Sequence, residues 1–401
     1  MHLRKLQVRS GLGSVVAVAA LALATSPAGA ASVPQKPQRP VCPGPVAGGA
    51  ARCFAHVVTN GHGTPQTSTL PSGYGPAQFH GAYALPATSP VSQTIAIVDA
   101  YNDPNIASDL EKYSSTYGLP PCNSSNGCFK KVNQSGVVGS YPSTSGGWSL
   151  EIALDVEIAH ATCQNCKVLL VEASSSSLAN LEAAVNTAAK LGATEISNSY
   201  GGSEFSGEVS DTAYNHPGIA VTVSSGDNGY GSFGFPAASP YVVAVGGTTL
   251  NVTSNGSGGY TWAGETVWGG TGSGCSSYVA APEWQSFLTA CSGKRGVADV
   301  AADADPSTGA AVYDSVKYQG RSGWFQVGGT SLSSPLIAGV YALAGNAATA
   351  SYPASLPYGA TASLHDVTSG SDGTCSTIMC KAGSGYDGPT GVGTPKGTGA
   401  F

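Results

Sequence analysis

From residue 94 onward the apolar positions of this chain fall into two rhythms. Residues 94–99 form a continuous apolar run closed by an acid, Thr-Ile-Ala-Ile-Val-Asp, and similar runs recur at 167–172, 196–202, 219–224 and 241–245. Between them, residues 149–161 and 178–191 carry apolar side chains at helical spacing. Continuous apolar strands alternating with helices predict a mostly parallel sheet covered on both faces, an α/β architecture. In such sheets the loops at the carboxyl ends of the strands carry the chemistry. Those ends are Asp99, Glu172, Tyr200-Gly201 and Ser225-Gly226-Asp227. Residues 250–292 are richer in Gly, Ser, Thr and aromatics and read as loops and hairpins decorating the core; no internal repeat is visible.

Near the end of the pattern, Gly328-Gly329-Thr330-Ser331-Leu332-Ser333-Ser334-Pro335 precedes the apolar stretch 336–344. Paired glycines permit a sharp turn, and Pro335 is expected in the first turn of a buried helix, where its missing N–H costs nothing. This corner reads either as a capped core helix or as a hydroxyl fixed by backbone geometry at a helix start, favoured there for nucleophilic chemistry.

Two further groups stand out. Glu151 and Asp155 are one helical turn apart, about 40° around the axis, on a helix whose neighbours Trp148, Leu150, Ile152, Ala153, Leu154, Val156 and Ile158 are mostly apolar. They are either solvated surface acids or a buried pair whose repulsion makes them share a proton. Asp227, in Ser224-Ser225-Gly226-Asp227-Asn228-Gly229, is either a turn residue or a carboxyl group aimed into a cleft.

Composition narrows the compartment and the partners. Residues 1–30 have the charge, apolar run and Ala28-Gly29-Ala30 ending of a secretory signal, and no later run is long enough to span a bilayer. Ten cysteines fit an oxidising, extracellular destination. They fall in close pairs, Cys42/Cys53, Cys122/Cys128, Cys163/Cys166, Cys275/Cys291 and Cys375/Cys380, and neighbour pairing is the simplest expectation, though spacing alone leaves connectivity open. Only 10% of residues are charged and the net charge is −6, which offers no basis for binding nucleic acid or an anionic membrane. Residues 31–72 are rich in Pro, Gly and Ala and read as a leader or short pro-segment pinned by Cys42 and Cys53; residues 73–401 read as one domain, with nothing demanding more than a monomer.

In combination and in this order, Glu151/Asp155, Asp227 and Gly329-Thr330-Ser331 resemble the sedolisin family of serine-carboxyl peptidases, as do Gln93-Thr-Ile-Ala-Ile-Val-Asp-Ala100 and Ser197-Asn-Ser-Tyr-Gly201. The resemblance implies a subtilisin-like fold and a secreted peptidase that cleaves protein or peptide substrates in acid through an acyl-enzyme. Ser331 would be the nucleophile, Glu151 the general base, Asp155 its support, and protonated Asp227 the oxyanion-hole residue. The chemistry is self-consistent: a carboxylate base suits acid better than neutral pH, and a carboxyl group donates a hydrogen bond only while protonated. Ser199, Tyr200 and Gly201 match the segment whose backbone pairs with bound peptide as an added strand. By position, the resemblance further implies one structural calcium ion (Ca2+), held by the side chains of Asp366 and Asp387 and the carbonyls of Val367, Gly383 and Gly385; hard cations take such oxygen ligands. Members of the family carry a large folded pro-domain, whereas here only residues 31–72 separate the signal from the resemblance.

Two rivals remain. A subtilisin-type enzyme would use a histidine base, yet the only His-Gly-Thr lies at His62, upstream of Asp99, and neither His160 nor His216 has the local context of a base. A catalytically dead binding protein on the same fold is the other, since fold does not guarantee function.

Overall fold

The computed structural model describes residues 1–2, 33–44, 46 and 48–401; apart from its first two residues, the expected signal segment 1–30 lies outside them. At the centre is an eight-stranded sheet. From one edge its strands run Phe129–Asn133, Lys167–Ala173, Thr94–Ala100, Glu195–Asn198, Ala220–Ser224 and Val243–Ser254, all neighbours parallel. Val300–Asp303 pairs with Val243–Ser254 in parallel, and Tyr260–Val267 closes the edge as an antiparallel hairpin partner. The middle strands are buried on both faces, as their unbroken apolar runs require. The sequence-derived parallel α/β sheet is therefore the one observed.

Two helices cross the interior. Gly146–Thr162 is buried from Trp148 to its end, and Thr330–Ala344 is buried from Thr330 to Leu343. They touch closely enough at one point that Gly339 has no room for a side chain: an added Cβ would meet Thr162 Cγ2 at 2.5 Å. Leu178–Lys190, by contrast, buries only the stripe Leu178, Leu181, Ala184, Val185 and Ala188. Among the described residues no helix is long and apolar enough to cross a membrane.

All five cysteine pairs join as neighbours, with sequence separations from 3 to 16 residues, so each staples a local turn. The described residues of the segment 31–72, expected to be irregular, are largely incorporated into the fold. Gln38–Pro40 pairs with His56–Val58, which pairs in turn with Arg321–Gly328 in a four-stranded antiparallel sheet completed by Ala310–Tyr318. Arg52–Cys53 pairs with Tyr200–Gly201. These strands are two or three residues long and take their partners from distant parts of the chain, so they leave no periodicity in the sequence.

Candidate active site

The structure brings Ser331, Glu151, Asp155 and Asp227 to one place at the carboxyl end of the sheet. Gly329 creates the corner before Ser331 with φ of 95°, a region that disfavours side chains, and a Cβ there would collide with the carbonyl oxygen of Phe54. The helix begins at Thr330, so Pro335 stands inside it and not in its first turn as expected. Without an N–H, Pro335 leaves the carbonyl of Ser331 lacking its helical donor. The Ser199 hydroxyl takes that place at 3.4 Å, while Ser331 Oγ donates to the Ser199 carbonyl at 3.3 Å. The proline thus ties the Ser331 turn to the strand carrying Ser199.

Glu151 and Asp155 are wholly buried, which excludes the solvated reading of this pair. Burial pushes the Glu151 carboxyl well above its ordinary range, and the charge of Asp155 pushes it the same way; the neighbouring Ser331 hydroxyl and the Ala55 amide oppose the shift. Asp155 is raised chiefly by burial and then by the charge of Asp99, which is itself raised by burial and by Glu151 and Glu172. A row of buried carboxyl groups therefore runs behind Ser331. Asp99 was visible only as a strand-end acid, because its place behind Asp155 depends on the fold.

Asp227 is held through Oδ1, which accepts from the Thr330 amide at 2.8 Å and the Thr330 hydroxyl at 2.7 Å. Its Oδ2 has no hydrogen-bond partner. Burial raises this carboxyl to about 7, against the pull of both Thr330 bonds and the Arg52 charge. With Oδ1 already accepting twice, the proton belongs on Oδ2, which lies with the Phe54 carbonyl oxygen against Gly329.

The cleft is filled by the chain's own residues 51–56. Arg52 and Cys53 lie antiparallel to Gly201 and Tyr200, and the Phe54 amide donates to the Ser199 carbonyl at 3.2 Å. The Ala55 amide donates to Glu151 Oε2 at 3.0 Å. His56 Nε2 stands 3.6 Å from Asp227 Oδ2, and burial, aided by Arg52, lowers its pKa to about 4. Beneath this cover Ser331 is 0% exposed. Among the described residues no histidine hydrogen-bonds to Ser331: His160 bonds the Pro120 carbonyl at 2.9 Å and His56 bonds Gln38 at 3.0 Å.

Near the C-terminus, Asp366 and Asp387 converge on the turn 383–385. Gly385 N donates to Asp366 Oδ2 at 3.0 Å and Gly383 N to Asp387 Oδ2 at 3.1 Å, while Thr390 binds the other oxygen of Asp387. Burial raises Asp387 to about 7, and the charge of Asp366 adds to the rise. Two carboxyl groups with mutual repulsion around one Gly-rich turn fit a hard cation.

Residues 134–364 match the subtilase family. Sedolisin of Pseudomonas sp. (strain 101) is 31% identical over 369 residues, 80% of this chain and 60% of that protein. Xanthomonalisin of Xanthomonas sp. (strain T-22) is 32% identical over 384 residues, 79% of this chain and 44% of that protein. Kumamolisin of Bacillus sp. (strain MN-32) is 30% identical over 377 residues, 82% and 63% respectively. The chain thus spans 44% to 63% of the length of these relatives. Among solved structures, Pseudomonas sedolisin complexed with pseudo-iodotyrostatin superposes with a TM-score of 0.66 at 29% identity, covering 81% of this chain and 96% of that one. By sequence the chain belongs to the subtilase family, and in sequence and fold it is similar to the sedolisin-type peptidases.

Proposed function

We propose that the chain is a secreted serine-carboxyl peptidase that hydrolyses peptide bonds of protein or peptide substrates in acid. The observation carrying this reading is the convergence of Ser331, the Glu151–Asp155 pair and Asp227 on one cleft. Ser331 Oγ attacks the substrate carbonyl carbon while Glu151 takes its proton, and Asp155, with Asp99 behind it, holds the acid pair in place. Protonated Asp227 donates from Oδ2 to the developing oxyanion, which restricts activity to pH values where that carboxyl keeps its proton. The backbone of Ser199, Tyr200 and Gly201 receives substrate as an added strand.

A calcium ion, held by the side chains of Asp366 and Asp387 and the carbonyls of Val367, Gly383 and Gly385, would neutralise their repulsion and fix the loop. Its contribution is to stability, with no role in the bond-breaking step.

The test is incubation of the purified full chain with denatured haemoglobin or casein in acid buffer, beside a Ser331→Ala control. Peptide release by the wild type alone is expected. Equal release by both proteins, or none from either, favours the binding-protein reading.

A further inference from the structure

We propose that the Trp268 indole forms the wall of the subsite for the second residue after the cleaved bond, and that it selects a ring side chain there. This rests on the peptidase reading above. Residues 54–56 mark the path of a peptide through the cleft. The Phe54 amide donates to the Ser199 carbonyl at 3.2 Å, and the Phe54 carbonyl oxygen lies with Asp227 Oδ2 against Gly329. The Ala55 amide donates to Glu151 Oε2 at 3.0 Å. A substrate's peptide unit held by the same groups places its next two residues, on the leaving side, where Ala55 and His56 stand.

Successive side chains of an extended chain point to opposite faces, and His56 turns its ring onto Trp268. The two rings meet edge to face, their planes at 82° and their centroids 5.7 Å apart, an arrangement that aromatic pairs favour. His56 Nδ1 is 3.0 Å from Gln38 Oε1, and Nε2 is 3.6 Å from Asp227 Oδ2. A ring in the second leaving-side position therefore packs on Trp268 within reach of the carboxyl that faces the cleft.

Trp268 is fixed in place by its own neighbours. Its amide donates to the Gly247 carbonyl at 3.1 Å, and its carbonyl accepts from the Thr271 amide at 3.0 Å. Gly247 and Gly270 lie against the indole: a Cβ on the first would come to 3.2 Å from Cε3, and one on the second would collide with the six-membered ring. A wall held this way has little freedom left to lose when it is covered. There is also room for a ring larger than imidazole. A cavity of about 590 Å³ runs along Trp268, lined as well by Gln35, Gln38, Thr249, Asn251 and Asp305. Trp268 and Gln38 both touch His56, so a longer ring in its place extends into this space. The polar lining suits a phenol hydroxyl, which needs a partner when buried. Tyrosine is therefore the residue this subsite favours, ahead of an aliphatic side chain that gains burial without the ring contact.

The test uses the full chain in acid with two peptides, Ala-Arg-Ser-Phe-Ala-X-Val-Val with X as Tyr or Leu, measuring kcat/KM for each and locating the cut by mass. Both should be cut between Phe and Ala, the Tyr peptide faster by about two- to tenfold, the range an aromatic pair contributes. Trp268→Leu keeps the apolar bulk and should lose the preference for Tyr over Leu, whereas Trp268→Phe should keep it, with melting temperatures showing that both variants fold. If Trp268→Leu does not fold, the wild-type ratio and that of Trp268→Phe still decide. Equal rates on the two peptides in the wild type overturn the proposal while leaving the peptidase reading intact. So does a preference for Tyr that survives in Trp268→Leu or disappears in Trp268→Phe, or a Tyr peptide cut at a bond other than Phe-Ala. Cleavage of neither peptide, or the same cleavage by Ser331→Ala, overturns the peptidase reading and this inference with it.

Discussion

Thr330 grips Oδ1 of Asp227 twice, through its amide at 2.8 Å and its hydroxyl at 2.7 Å, which leaves Oδ2 as the oxygen facing the cleft. An asparagine reproduces this arrangement, since its carbonyl accepts from Thr330 and its amide nitrogen takes the place of protonated Oδ2. Asp227→Asn should therefore retain measurable turnover and extend it to higher pH, because its donor cannot ionise. Asp227→Ala, lacking the donor, should lose about 10²–10³ in kcat. Full pH–rate profiles of the three proteins on one peptide check this. A profile for Asp227→Asn that falls at the same pH as the wild type would remove Asp227 from the alkaline limb.

Glu151 gives a cleaner separation of chemistry from stability. Its carboxyl is buried, and burial together with the charge of Asp155 raises it above the ordinary range. Glutamine is nearly the same shape and still accepts from the Ala55 amide. Glu151→Gln should lower kcat by about 10²–10⁴, the usual cost of losing a general base, with the melting temperature little changed. A large fall in melting temperature would indicate a structural task for this carboxyl group.

Much of the fold and the core of the candidate site were legible in the sequence. The apolar runs at 94–99, 167–172 and 219–224 can be satisfied only by burial on both faces, and each is a central strand. Ser331, Glu151, Asp155 and Asp227 were legible because each sits in a local context, a Gly corner, an apolar helix or a strand end, that tertiary packing did not alter. The unread part depends on long-range pairing. Arg52–Cys53 finds its partner at Tyr200–Gly201, and His56–Val58 at Arg321–Gly328, so no local pattern announces either strand. Asp99 and Thr330 acquire their places behind Asp155 and against Asp227 only once the strand and helix ends meet. The helix start was misjudged for a similar reason. Pro335 looks like a first-turn proline until the Ser199 hydroxyl is seen covering the carbonyl it frees.

Stability should rise in acid. Burial raises Asp103, Glu172 and Asp227 to about 7 and Glu195 to about 8. Asp314 is raised to about 9 by burial and by the charge of Asp103, with which it shares a cluster completed by Asp109, ligand oxygens lying within 4.8 Å. In the unfolded chain these groups release their protons near pH 4. Between about 4 and 8 the native state therefore binds protons that the unfolded state has lost, and stability falls as pH rises. The contribution is complete below about 4 and gone above the folded values. Melting temperatures of Ser331→Ala, which lacks the candidate nucleophile, should be higher at pH 4 than at pH 8. A flat or rising curve would mean that these carboxyl groups are ionised in the native protein.

The calcium proposal separates from general loop stability through Asp366. Asp387 also holds Thr390 through two bonds, so its replacement weakens the turn with or without an ion. Asp366 bonds only the exposed segment Ser384–Gly385, at 3.5 and 3.0 Å. A chelator should lower the melting temperature of the wild type, and added calcium should restore it. Asp366→Asn should melt near the chelated wild type and respond to neither treatment. An equal chelator effect in both proteins would place the ion elsewhere.

Gly339 tests whether the two buried helices must keep their spacing for the site to work. It lies in the Ser331 helix where that helix meets Thr162 of the Glu151 helix, and a Cβ there would come to 2.5 Å from Thr162 Cγ2 and 2.6 Å from its Cβ. Neither side can yield without moving a helix, because both are enclosed by the core. Gly339→Ala should cost about 1–3 kcal/mol through overpacking, offset in part by the better helix propensity of alanine. It should also lower kcat, since pushing the helices apart separates Ser331 from Glu151, and small misplacements of reacting groups are costly. Thr162→Gly in the same chain relieves the collision and should restore kcat more fully than stability, because glycine weakens the last turn of its own helix. Loss of stability in Gly339→Ala with kcat unchanged would show that the Ser331–Glu151 spacing is set elsewhere, by the Ser199 bonds at the helix start.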